Sequence, residues 1–115
     1  MSYILLHHSG CSTSRKGLAL LQENGIEPQV RKYMNASEQL SLDEVKEIAR
    51  KLGAASPRAF LRDKNAADVG IDANSTDDEI FVAMAANPKI IQRPILIKGR
   101  KAVLGRPIEA MLDLT

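Results

Sequence analysis

Cys11 is the only cysteine in the chain, and the residues around it have the types and spacing of a reactive thiol. In Cys11-Ser12-Thr13-Ser14 the second sulfur of a C-x-x-C redox pair is replaced by a hydroxyl. Such a motif cannot close its own disulfide, so a second thiol must come from another molecule. Gly10 precedes the cysteine and three small hydroxyl residues follow it, a composition that packs poorly but binds oxyanions well.

A free thiol is only slightly ionised at neutral pH, and only the thiolate is the nucleophile. Cys11 stands where an apolar run ends and a helix should begin, so helical N–H groups and the positive end of the macrodipole would face its sulfur. The plain alternative is an inert buried thiol, since free cysteine is among the most buried residue types. His7 and His8 are placed to tune the thiol or move protons, but strand alternation sends their side chains to opposite faces, so at most one should face Cys11.

The elements that must position this loop follow from pattern. Tyr3-Ile4-Leu5-Leu6-His7 reads as a buried strand emptying into a turn, and a helix should run from about Thr13 to Asn24, before Gly25. Pro28 to Tyr33 reads as a second strand, parallel to the first because a helix joins them in a right-handed βαβ unit.

Ser41-Leu42-Asp43-Glu44 is a capping box that opens a helix ending at Gly53. Ser56-Pro57 should cap one further short helix, from Arg58 to Lys64, and Thr76 to Glu79 another that Asn87-Pro88 ends, making the middle of the chain all helical. Ile95-Leu96-Ile97 and Ala102-Val103-Leu104 flank a Lys98-Gly99-Arg100 turn, and Pro107 should open a short last helix. The expected fold is α/β, a thioredoxin-like mixed sheet in the order βαβ, helical insertion, ββα. It forms one domain over residues 1–115, with the insertion at about 37–90.

Composition narrows the function. At 115 residues, 44% hydrophobic and 26% charged, the chain can bury one core and should hold one active site. Aromatic residues at 3%, with no Trp, leave little to stack bases on, and a net charge of +2 is too small for a general phosphate-backbone binder. No apolar run reaches the length of a signal peptide or a membrane helix. The expectation is a soluble, cytoplasmic monomer that binds neither nucleic acid nor membrane and takes small anions, with no metal site and no bound cofactor.

The segment His7-His8-Ser9-Gly10-Cys11-Ser12-Thr13-Ser14-Arg15 resembles the H-x-x-x-C-x-x-S-R segment of the glutaredoxin-coupled arsenate reductases, the ArsC-like group on the thioredoxin-like fold. The likeness continues in Arg58-Ala59-Phe60-Leu61-Arg62, in Gln92-Arg93-Pro94-Ile95 and in Leu104-Gly105-Arg106-Pro107, and it covers about Ile4 to Leu114. One Cys, three separated Arg and two Arg-Pro pairs in this order make a specific joint pattern. His8 and Ser9 depart from the asparagine and proline common in that group.

The resemblance implies that Cys11 is the nucleophile, with His7 and Ser14 as further catalytic residues. It also implies that Arg62, Arg93 and Arg106, with Ser12 and Thr13, bind the oxyanion, and that Pro94 is a cis-proline facing the loop. Arginine suits this task because its planar donor forks match a tetrahedral oxyanion and its fixed charge acidifies a nearby thiol.

Arg15, Arg31, Arg50 and Arg100 read as solvated surface charges or weak surface pairs, and Arg58 as an outward or supporting residue. The implied reaction reduces arsenate, or a similar oxyanion, to arsenite with glutathione as co-substrate and glutaredoxin as partner. Two rivals share the fold: an Spx-like transcription regulator sensing redox through C-x-x-C, which Ser14 disfavours, and a monothiol glutaredoxin-like oxidoreductase indifferent to arsenate.

Overall fold

A computed structural model describes residues 2–115. Four strands, β1 (Tyr3–Leu6), β2 (Gln29–Arg31), β3 (Ile95–Lys98) and β4 (Lys101–Leu104), form one sheet in the order β2-β1-β3-β4. β1 pairs with β2 in parallel and with β3 antiparallel, and β3 with β4 antiparallel. This is the thioredoxin-like mixed sheet expected from the order of elements.

Side chains alternate across the sheet and divide the core in two. Leu5 and Leu96, directly paired, point to a smaller cluster with Leu21 and Met111. There α1 (Ser12–Glu23) packs against the C-terminal 3-10 helix Ile108–Leu114. Leu6, Ile95 and Ile97 face the opposite way, into the larger cluster with Val45, Ile48, Phe60, Ile80 and Met84. That side is covered by α2 (Leu42–Leu52) and α4 (Asp77–Ala86).

The helix signals lie where capping chemistry puts them. Ser41 and Glu44, and Thr76 and Glu79, form complete capping boxes, each side chain meeting the other residue's backbone N–H. Gly53 closes α2 with φ of 70°, the left-handed conformation that favours glycine.

One expected helix is broken. Pro57–Phe60 is a 3-10 turn, Leu61 and Arg62 are extended, and α3 begins only at Asp63 and ends at Ala66. Tertiary pairing overrides the local signal. Leu61 forms an isolated antiparallel bridge with Ile91, the Arg62 N–H donates to the Ile90 carbonyl at 2.6 Å and the Gln92 N–H to the Phe60 carbonyl at 2.8 Å. The middle of the chain is therefore not wholly helical, and Arg58 and Arg62 do not share one helix. The bridge instead carries Arg62 to the segment that holds Arg93. At the C-terminus, Pro107 is extended and precedes a 3-10 helix rather than opening an α-helix.

Candidate active site

The loop after β1 is closed by its own backbone. The Cys11 N–H donates to the His8 carbonyl at 3.0 Å, and Arg15 Nη1 reaches back from α1 to the Ser9 carbonyl at 2.7 Å. Cys11 occupies the N-cap position of α1 with extended φ and ψ, and no side-chain oxygen caps the helix. Burial pushes the thiol up, but the backbone N–H of Ser14, the Arg93 guanidinium and the backbone N–H of Thr13 favour the anion, and together they bring Cys11 below its ordinary value. The side chain remains partly exposed and able to react.

Three arginines from three segments converge on this sulfur. Arg93, just before β3, is 5% exposed and its guanidinium favours the thiolate. Arg106, just after β4, directs Nη2 to Cys11 Sγ at 3.9 Å while its Nε donates to the Arg93 carbonyl at 3.0 Å. Arg62 lies within the field of all three: burial, then Arg93, works against its charge, Cys11 favours it, and Arg106 opposes it. Like charges held this close repel, and an anion between them relieves the repulsion. Arg93 Nε is buried with no hydrogen-bond partner, a donor whose desolvation is uncompensated within the protein.

The two histidines part as alternation requires. His7 is 4% exposed and its Nδ1 is 2.8 Å from Ser14 Oγ, which also accepts the His8 N–H at 3.1 Å. Ser14 thus turns its hydroxyl to His7, while its backbone N–H favours the Cys11 thiolate. Burial, then His8, Lys32 and Arg15, hold His7 below its ordinary value, so it is neutral at neutral pH. His8 is half-buried, with its ring over Gly10 and under the influence of the Arg93 and Arg62 charges. Of the remaining loop residues, Thr13 favours the thiolate through its backbone N–H and Ser12 is exposed at the first turn of α1.

The Arg93-Pro94 peptide is cis, and so is Arg106-Pro107. Pro94 is buried between two glycines that sequence reasoning passed over. A Cβ on Gly17 of α1 would stand 2.9 Å from Pro94 Cγ, and one on Gly105 would stand 2.8 Å from the same atom. Tyr33 was read only as a strand residue, yet its hydroxyl donates to the Ile91 carbonyl at 3.1 Å and lies against Arg93. The signal in the sequence was a polar aromatic in an apolar setting, since a buried phenol needs a partner.

Away from the sulfur, Arg31 is a bidentate clamp on Glu44 rather than a free surface charge, joining β2 to α2. Arg58 holds the carbonyls of Asp72 and Ser75 at 2.9 and 2.8 Å, a supporting role for the loop before α4. Among the described residues no three His, Cys, Asp or Glu side chains gather as a metal-binding group.

A thioredoxin-like sheet here delivers one cysteine to a helix N-terminus, within the influence of guanidinium groups from three segments. The chain belongs to the ArsC family, whose model matches residues 6–114. It is 38% identical over 117 residues to an arsenate reductase of Haemophilus influenzae, covering 99% of each chain. It is 40% identical over 108 residues to one of Neisseria meningitidis, covering 91% of each. Among solved structures it superposes on an arsenate reductase from Vibrio cholerae with a TM-score of 0.88 at 39% identity, over 100% of this chain and 98% of that one.

Proposed function

We propose that this protein reduces arsenate to arsenite through a covalent intermediate on Cys11. The observation that carries this reading is the Cys11 sulfur itself, 3.9 Å from Arg106 Nη2 and lowered in its pKa by the Arg93 guanidinium, in a family whose relatives are named arsenate reductases. Guanidinium groups arranged around a thiolate can hold a tetrahedral oxyanion with its central atom against the nucleophile.

In the first step the Cys11 thiolate attacks arsenic, an S–As bond forms, and one protonated arsenate oxygen leaves as water after taking a proton. The arginines stabilise the negative charge carried by the remaining oxygens. Glutathione thiolate then attacks the Cys11 sulfur. The S–As electron pair departs with arsenic, which falls from As(V) to As(III) and leaves as arsenite, while Cys11 becomes a mixed disulfide with glutathione. A glutaredoxin thiolate takes the glutathionyl group and returns Cys11 as thiolate. With one cysteine in the sequence, both resolving thiols come from outside the chain.

The test is steady-state arsenate turnover with glutathione, glutaredoxin and NADPH recycling, run beside Cys11→Ser. The expected result is arsenite formation that Cys11→Ser abolishes. Equal turnover by the two proteins would refute the reading. Reduction of a glutathione mixed disulfide with no activity on arsenate would replace it by a monothiol oxidoreductase.

A further inference from the structure

Tyr33 is fully buried two residues beyond β2. Its phenol has one proton to give, and gives it to the Ile91 carbonyl at 3.1 Å. Ile91 is also the residue that bridges Leu61, one residue before Arg62 and two before Arg93. The Tyr33 hydroxyl therefore grips the junction from which two of the three site arginines extend.

Burial raises the phenol to about 12, with Arg93 acting in the opposite sense, the Cys11 charge adding to the rise and Arg62 opposing it, so the hydroxyl keeps its proton. Arg93 Nη1 donates to the Lys89 carbonyl at 3.2 Å, while Nε stays buried and unpartnered. Arg93 is thus tied to its own segment, whose Ile91 carbonyl the phenol holds, and keeps a donor free.

We infer that Tyr33 is a positioning residue of the oxyanion site: its hydroxyl holds the Ile91 carbonyl, two residues before Arg93, and so keeps Arg93 directed at the Cys11 sulfur. This rests on the oxyanion-site reading above, but its consequence for the thiol can be measured without any turnover. A phenylalanine would fill the same space and make the same apolar contacts, so a core-filling role and a positioning role separate cleanly.

The experiment compares wild type with Tyr33→Phe by thiolate absorbance against pH, and by the arsenate concentration that half-protects Cys11 from iodoacetamide. Loss of the hydrogen bond to the Ile91 carbonyl should raise the thiolate midpoint and raise the half-protecting concentration up to about tenfold. Adding Tyr33→Phe to Arg93→Ala should move neither quantity further, because Tyr33 acts through Arg93. A lowered melting temperature with an unchanged midpoint and unchanged protection would overturn the proposal. If arsenate protects neither protein but the midpoint still moves, the substrate reading fails and the positioning role stands. Should Tyr33→Phe not fold, wild type labelled with 3-fluorotyrosine gives the answer by fluorine resonance. Alkylating Cys11 should shift the Tyr33 signal and leave that of Tyr3, and a Tyr33 signal that stays still would overturn the proposal.

Discussion

Arg106 donates its Nε to the backbone carbonyl of Arg93 at 3.0 Å and turns Nη2 to the Cys11 sulfur at 3.9 Å. One side chain therefore locks the segment that carries the buried arginine and contributes its own charge to the same thiol. Arg106 is exposed, whereas Arg93 is buried, so the pair brackets the sulfur from the solvent side and from the core side.

Replacing Arg106 should show both functions. Arg106→Ala is expected to raise the half-saturating arsenate concentration about tenfold, the worth of one charged hydrogen bond. Arg106→Lys should recover part of the charge but not the Nε tie to Arg93. Steady-state kinetics at varied arsenate would check both, and wild-type affinity in Arg106→Ala would contradict the bracket.

Glu44 is expected to support stability in acid through Arg31. Its carboxyl is lowered from 4.5 to about 2, first by the Arg31 hydrogen bond, against burial, and then by Ser41. A depressed carboxyl stabilises the fold above its unfolded value and loses that contribution as pH falls from 4.5 to about 2. The pair is partly solvent-exposed, so the contribution is about 1 kcal/mol or less. Melting temperatures of wild type and Glu44→Gln should differ near neutral pH and converge across that window.

His7 acts in the opposite part of the pH scale. Burial, then His8 and nearby cations, lower it, so the unfolded chain binds the proton more readily than the folded one. Stability is then undiminished above the ordinary histidine range and falls as pH drops below 6.5, until the folded imidazole itself protonates. Urea denaturation from pH 8 to 5 should show this loss, and His7→Gln should flatten it; an unchanged slope in the variant would contradict a buried neutral ring.

Gly17→Ala is expected to destabilise, although alanine in a helix normally gains up to about 1 kcal/mol over glycine. The new Cβ would meet Pro94 Cγ and Met111 Cε at 2.9 Å each; the methionine can move, but the proline ring, also pressed on Gly105, cannot easily. A cost of about 1–3 kcal/mol is the expected overpacking penalty. Thermal unfolding would decide the sign, and a stabilised variant would mean that Pro94 is not tightly seated.

Much of this organisation is written in local chemistry. The capping boxes at Ser41 and Thr76, the apolar strand before Cys11 and the glycine turn between β3 and β4 each depend on residues close in sequence, so periodicity and capping rules find them. The break at Leu61 does not, because it is made by pairing with Ile91, thirty positions away, and the short Arg58–Lys64 stretch carries no local sign of it. The same limit hid the partners of Tyr33 and the seat of Pro94 between Gly17 and Gly105. Cys11 and its arginines were legible because their types and order form a joint pattern, while the Ser14 hydroxyl's contact with His7 needed coordinates.

Guanidinium groups from separate stretches of chain favour the Cys11 thiolate. The decisive measurement is the rate of Cys11 alkylation by iodoacetamide against pH, in wild type, Arg93→Ala and Arg106→Ala. The wild-type midpoint is expected below that of a free thiol, near 8.5, and should move upward in both variants, with arsenate slowing the wild-type reaction. A midpoint at the free-thiol value, unmoved by either substitution, would refute the role of the arginines.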